Sequence, residues 1–249
     1  SRITARIPQL SINGGQLGAF LEPYLPKLQL SQLLKANAPN IVAKDIQIDW
    51  PNNQPPLLMA EIDSFDIKAA QSIPELGFVG GTLYLNGTRG WFDFTGGDVS
   101  FAAPDIFGSS WINQSVSGTL AFDQSDSALV IRGQALRIQD AFQDVVGSLL
   151  LELPKSKERQ LHLELKVDAK TEALTSLLPH TLNSKVVEFV NRTVQDVKVE
   201  GGRISFSGPL GSLIDSKRSD LSMRLPLAAY RFKPFTDWPA FEGDRGTAH

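Results

Sequence analysis

Cysteine is absent from the 249 residues, which removes disulfides, thiolate catalysis and cysteine-ligated zinc together. The absence fits the cytosol, or a periplasm whose proteins do without disulfides, and argues against a small disulfide-stapled secreted module. A basic excess is missing as well. Twenty-four Lys and Arg stand against 27 Asp and Glu, a formal net charge of −3, and no cationic run exceeds the pair Lys217-Arg218, a solvated turn. Nucleic-acid binding, which needs a basic face, therefore has no electrostatic footing. Long apolar runs are also lacking: the richest, Val145 to Leu153 and Ala128 to Ile131, fall far short of the ~20 residues that cross a bilayer. The chain opens on the strand-like Arg2-Ile3-Thr4-Ala5-Arg6-Ile7 and stops after Gly243-Asp244-Arg245 without a closing element. It reads as a piece of something longer, with any membrane anchor outside it.

Catalytic constellations are equally scarce. The three histidines, His162, His180 and His249, have no second His at metal-ligand spacing and no Ser in a nucleophile-elbow setting. No P-loop or GxGxxG sits between a strand and a helix. The pairs Asp45/Asp49 and Asp123/Asp126 are solvated carboxylates of a turn-rich β-protein rather than an acid–base couple. Asn86-Gly-Thr88, Asn113-Gln-Ser115 and Asn191-Arg-Thr193 match a glycosylation tripeptide that is common by chance. The expectation is a protein that is not an enzyme and uses no metal and no cofactor.

What the chain does have is alternation. A hydrophobic content of 42% with 20% charged residues is ordinary for a folded domain, and the apolar residues recur with period two. Ile46, Ile48 and Trp50 alternate with Asp45, Gln47 and Asp49 before the turn Pro51-Asn52-Asn53. Leu58, Ala60 and Ile62 share a face; Phe65, Ile67 and Ala69 resume in the other phase, so a β-bulge is expected at Asp63-Ser64. Leu83 and Leu85, Phe92 and Phe94, Val99 and Phe101, then Leu120 and Phe122 follow. Val145, Leu149, Leu151 and Leu153 pair with Leu161, Leu163, Leu165 and Val167 across the polar turn Pro154 to Arg159. Glu152, His162, Glu164 and Lys166 take the opposite, wet face. Sequential pairing makes this an antiparallel meander.

A Gly-x-apolar-x-apolar echo begins at Gly81, Gly118, Gly147 and Gly202, too unevenly spaced for a strict solenoid. Two less regular segments interrupt the strands: Leu17 to Ala36, helical in its second half, and Pro104 to Ile112. After Pro179 the period changes. Leu182, Val186, Phe189, Val190 and Val194 form the apolar stripe of an amphipathic helix over about 183–195, capped by Thr181 or Asn183. Then Val197, Val199, Ile204 and Phe206 return to period two around Gly201-Gly202. Leu221, Met223 and Leu225 follow in a last alternating stretch.

Three segments result: an N-terminal strand with a partly helical connector over 1–40, an antiparallel meander over 41–170, and the helix with further strands over 171–249. Alternation by itself favours a closed β-sandwich, a binding or adhesion module in which Leu83, Leu149, Leu163 and Phe206 fill a core. In that reading loops bearing Trp50, Trp91 or Trp111 carry the function.

The order Leu177-Leu178-Pro179, helix, Val199-Glu-Gly201-Gly202, alternating strand and Gly208-Pro209-Leu210 resembles the YhdP branch of the bacterial AsmA-like proteins. So do Ile73-Pro74-Glu75-Leu76 before Gly80-Gly81-Thr-Leu-Tyr-Leu, Phe101-Ala-Ala-Pro104-Asp-Ile-Phe107 before Val116-Ser-Gly118-Thr-Leu, and Asp237-Trp238-Pro239-Ala-Phe-Glu242-Gly243. The likeness runs from about Ile41 to Gly243. Phe189-Val190 departs from the family's usual Trp-Leu in the helix, and Leu213-Ile214-Asp215 from its run after Gly-Pro-Leu.

The resemblance implies a bridge-like lipid-transfer protein: mainly β, a long curved antiparallel sheet forming a groove, with one or two short amphipathic helices docked on it. It further implies anchoring in the inner membrane of a Gram-negative bacterium and extension through the periplasm, with phospholipid acyl chains sliding in the groove toward the outer membrane. The expected lining comprises Ile46, Ile48, Ile62, Leu83, Leu85, Leu120, Phe122, Leu149, Leu151, Leu153, Leu161, Leu163, Leu165, Val167, Ile204, Phe206, Leu221, Met223 and Leu225.

Overall fold

A computed structural model of the chain describes residues 2–13, 15–16, 39–52, 54–67, 75–102, 111–176, 185, 188, 192–209, 218–233 and 239–248. They form one open, curved antiparallel sheet with very little helix. Its strands follow chain order: β1 (Ile3–Asn13), β2 (Asn40–Trp50), β3 (Leu57–Ile67), β4 (Glu75–Asn86), β5 (Arg89–Ala102), β6 (Trp111–Gln124), β7 (Ala128–Gln139), β8 (Gln143–Pro154), β9 (Gln160–Lys170), β10 (Val194–Pro209), β11 (Asp220–Phe232) and β12 (Phe241–Gly243). A short β13 (Gly246–Ala248) pairs with β11 beside β12. Among the described residues no strand packs appreciably on any strand but its sheet neighbours. The described residues contain no facing sheet; their fold is the open sheet and not the closed sandwich that alternation alone favours.

The meander and its register follow from the period-two pattern. Leu149 pairs with Leu163, Leu151 with Leu161 and Val145 with Val167, and the slip expected at Asp63-Ser64 is a register shift between Ile62 and Phe65. Further irregularities bend the sheet where Asp45 (φ 48°), Asp98 (φ 56°), Ala135 (φ 48°) and Gly201 (φ 67°) adopt left-handed backbone. Trp111 and Ile112, expected in an irregular segment, carry strand backbone in β6. The expected helical connector over Leu17 to Ala36 lies outside the described residues.

A six-residue helix that the periodicity does not anticipate, α1 (Thr171–Ser176), directly follows β9 and precedes the helix expected over about 183–195. Ala173 of α1 is buried against Val167 and Ala169, and the Thr171 hydroxyl accepts the Val197 N–H at 2.6 Å. Lys185, Glu188, Arg192 and Thr193 are also helical, the first three of them exposed. Val194, expected on the helix's apolar stripe, is instead the first residue of β10, because pairing with Phe232 begins there. Leu182, Val186, Phe189 and Val190 lie outside the described residues.

The glycine echo has a geometric cause. Gly81 pairs with Phe94 and Phe94 with Gly118; Leu136 pairs with Gly147 and Gly147 with Leu165. Glycine thus alternates with a large side chain along one cross-strand row. A Cβ at Gly147 would lie 2.6 Å from Leu165 Cδ2 and 2.2 Å from the Glu164 carbonyl oxygen; at Gly81 it would lie 2.0 Å from the Asp93 carbonyl oxygen. Each large neighbour lies over a position that only glycine leaves free.

At the β7–β8 turn a polar knot closes one rim. Asp140 Oδ1 accepts the backbone N–H groups of Phe142 (2.6 Å) and Gln143 (2.9 Å), and Oδ2 accepts Gln114 Nε2 (2.7 Å) and Gln143 Nε2 (3.3 Å). Burial pulls the Asp140 carboxyl upward, but these hydrogen bonds outweigh it and hold the group below its ordinary value.

Gly81→Val, with φ 151° and backbone in its way, should destabilise the chain by more than ~3 kcal/mol in urea unfolding. Gly97→Ala, with nothing within 4 Å of the added Cβ, should change stability by less than ~1 kcal/mol. Because the Asp140 carboxyl is depressed in the folded state, its contribution is present above the unfolded value of about 3.9 and is lost as pH falls through the folded value. Asp140→Asn should therefore flatten the fall in stability below about pH 4; an unchanged acid limb would show that the knot does not titrate with folding.

Candidate functional site: an uncovered apolar face

Cross-strand partners share a face of a sheet, so the register locates each expected lining residue. One row runs from Ile7 to Ile46, past the β2–β3 bulge to Ala60 and Leu83, and on through Phe92, Leu120, Gly133, Leu149, Leu163, Phe206 and Leu221. A second passes through Ile48, Leu58, Leu85, Gly90, Phe122, Ile131, Leu151 and Leu161. A third, the glycine row, begins at Ile62 and ends through Leu165, Ile204 and Met223. Leu153 pairs with Leu129, Val167 with Gly202, and Leu225 Cδ2 would lie 3.0 Å from a Cβ on Gly202. All the expected strand residues fall on the same side of the sheet.

That side is apolar but not sealed. Ile46, Ile62, Val167 and Phe206 are buried, whereas the other expected residues keep solvent contact; Leu221 is 51% and Met223 41% exposed. Among the described residues most of the buried apolar side chains fall into three clusters spread along the sheet, around Ala43–Ile62, Val79–Val116 and Val167–Ala173, with Leu129, Val197, Val199 and Phe206 outside them. A sandwich would gather them into one continuous core. Across the described residues only α1 rests on the neighbouring strands, at β9 and β10. Ile7, Leu58, Phe92, Phe94, Ile131 and Leu136 share the apolar side although they are outside the expected lining. Leu58, Phe92 and Phe94 belong to the same period-two alternation, while Phe94 pairs with Gly81 and Gly118 and Leu136 with Gly147, a cross-strand signal that a reading strand by strand does not weigh.

The other side is polar and charge-paired. Arg137 is bidentate to Asp144 (2.8 and 2.6 Å), and Lys44 Nζ lies 2.7 Å from Asp63. Arg2 pairs with Asp49, and the guanidinium, donating to the Asp49 carboxyl, holds that group below its ordinary value. Tyr84 and Trp91, a cross-strand pair, stack at 4.0 Å with 19° between rings. Trp50, Trp91 and Trp111 all lie in strands rather than in loops, which removes the loop-borne tryptophan surface that a sandwich module would use. Ser207 and His162 Nδ1 are 2.9 Å apart on this exposed side, as an ordinary cross-strand pair. Among the described residues no three His, Asp or Glu side chains gather where a metal ion could be held, and no helix is long and apolar enough to cross a membrane.

Comparison with curated proteins and comparison with solved structures each gave no match. A family model described as YhdP protein matches residues 6–248, nearly the full chain, from within β1 to the end of β13. The sequential meander, the uncovered apolar face and this match agree: the chain belongs to the YhdP family.

Proposed function

We propose that this chain is a segment of a lipid-transfer conduit whose apolar face, on the inside of the sheet's curve, shields phospholipid acyl chains between the inner and outer membranes of a Gram-negative bacterium. The observation that carries the reading is the set of apolar rows that together reach from β1 to β11, with no covering layer among the described residues. Strands of 11 to 16 residues, such as β9 and β10, extend for roughly 35–50 Å, which is ample width for hydrocarbon tails. Family membership supports the same reading.

The physical need is large. Covering a methylene is worth ~0.8 kcal/mol, or about 13 kcal/mol for a 16-carbon tail, so an uncovered tail crosses water very slowly. Leucine, isoleucine and phenylalanine rows offer dispersion and exclusion of water without directional bonds. Affinity is then spread along the rows, no single position is a trap, and a tail can slide from one row to the next. The segment sits in the periplasm, and the membranes are reached through other parts of the full-length protein.

The lining residues are those of the rows, with Leu149 and Leu163 at their centre. Organic extracts of the purified chain, prepared without detergent, should contain phospholipid by mass spectrometry. Leu149→Asp with Leu163→Asp should reduce that phospholipid, and the uptake of a fluorescent phospholipid, at least about tenfold, because two charges in the tail path each cost several kcal/mol to desolvate. Phospholipid retained at the wild-type level by a folded double variant would overturn the assignment of this face.

A further inference from the structure

On the polar side, opposite the rows, most cations are neutralised where they stand: Arg2 by Asp49, Lys44 by Asp63, Arg89 by Asp123 and Arg137 by Asp144. One row breaks this pattern. Arg137 pairs across the strands with Val146, Val146 with Lys166, Lys166 with Arg203 and Arg203 with Arg224. Lys166, Arg203 and Arg224 are exposed, and none of the three is in an ion pair among the described residues.

Three like charges directly opposite one another on adjacent strands are unfavourable, and strand spacing confines them to ~10 Å. They also border a depression of about 720 Å3, which Ser205, Ser222 and Glu164 line with them. Ser205 pairs with both Glu164 and Ser222. The lining therefore presents two guanidinium groups, one ammonium and three hydroxyls, Ser148 being the third, against a single carboxylate.

We propose that the row Lys166–Arg203–Arg224, with Ser205 and Ser222, is a binding site for a phosphate ester. Guanidinium forks match tetrahedral oxyanions bidentately, the hydroxyls supply neutral donors, and a bound anion removes the like-charge repulsion that the empty row carries. Rigid strands hold the cations, so little side-chain ordering opposes binding beyond the rotamers themselves. The site lies on the opposite side of the sheet from the apolar rows and does not depend on the lipid-transfer reading. Two sources of the same chemistry exist: a soluble phosphate ester, and the headgroup of an anionic phospholipid at a membrane surface.

The test titrates the 249-residue chain with glycerol 3-phosphate at constant ionic strength, followed by amide NMR, and in parallel measures co-sedimentation with vesicles of phosphatidylcholine containing phosphatidylglycerol. Shifts centred on Lys166, Arg203, Ser205, Ser222 and Arg224 are expected. Arg203→Gln with Arg224→Gln should weaken binding at least about tenfold, a loss in keeping with two charge-assisted contacts, whereas Arg132→Gln, elsewhere on the same side, should leave it within about twofold. Lys166→Gln tests the row from the neighbouring strand and should weaken binding by a smaller factor. Vesicle binding that falls with the same variants identifies the headgroup as the source; a response to the soluble ester alone identifies a soluble ligand. Shifts spread over all exposed cations, or binding unchanged in the folded double variant, would overturn the site.

Discussion

A sheet without a partner layer must hold itself together along its own plane, and that constraint governs most of what this chain does. Backbone ladders run continuously from β1 to β12, and side chains pack with neighbours in the same row instead of with a facing core. In a sandwich the apolar side of each sheet is satisfied by the other. Here the satisfaction is partial: large side chains lie over glycines, as Phe122 and Leu85 crowd the space above Gly90, and the remaining apolar surface stays open. An apolar side left open by the described residues along the whole run of strands is unusual for a monomeric soluble protein, whose exposed apolar patches are ordinarily small, and the proposed occupant is hydrocarbon.

The two sides are built on different physics. The apolar side offers only non-directional contact, because dispersion and water exclusion do not fix the position of whatever lies against it. The polar side is held by ion pairs of the ordinary exposed kind, each worth little on its own, and by cross-strand contacts such as Tyr84 on Trp91. Left-handed residues at Asp45, Asp98, Ala135 and Gly201 bend the ladder without breaking it, so the rows stay continuous across the bulges. Polar bonds gather at the rim, where Gln114, Asp140 and Gln143 tie a turn closed.

Much of this was legible in the order of residues. Period-two alternation placed Leu149, Leu151, Leu161 and Leu163 on one face and His162 and Glu164 on the other, and the phase slip at Asp63-Ser64 marked a bulge that the register shows. What alternation cannot distinguish is a covered face from an uncovered one, since Leu83 looks the same beneath a second sheet as beside open space. Topology makes the distinction: among the described residues no strand packs appreciably on a strand other than its sheet neighbours. The helix was harder to bound. Its apolar period runs on into Val194, where strand pairing with Phe232 prevails, and the six residues of α1 are too few to show a period. The glycine row was visible only as an echo, because its alternation with Phe94, Leu136 and Leu165 runs across strands rather than along them.

The central claim is that hydrocarbon occupies one side of the sheet and not the other. The most direct measurement introduces a photoreactive residue singly at each position from Leu161 to Lys166 in β9, supplies phospholipid, and quantifies lipid adducts by mass spectrometry. Adducts at 161, 163 and 165, with little at 162, 164 and 166, would give the period-two signature that the account predicts. Equal labelling at odd and even positions, or none at the odd ones, would contradict it.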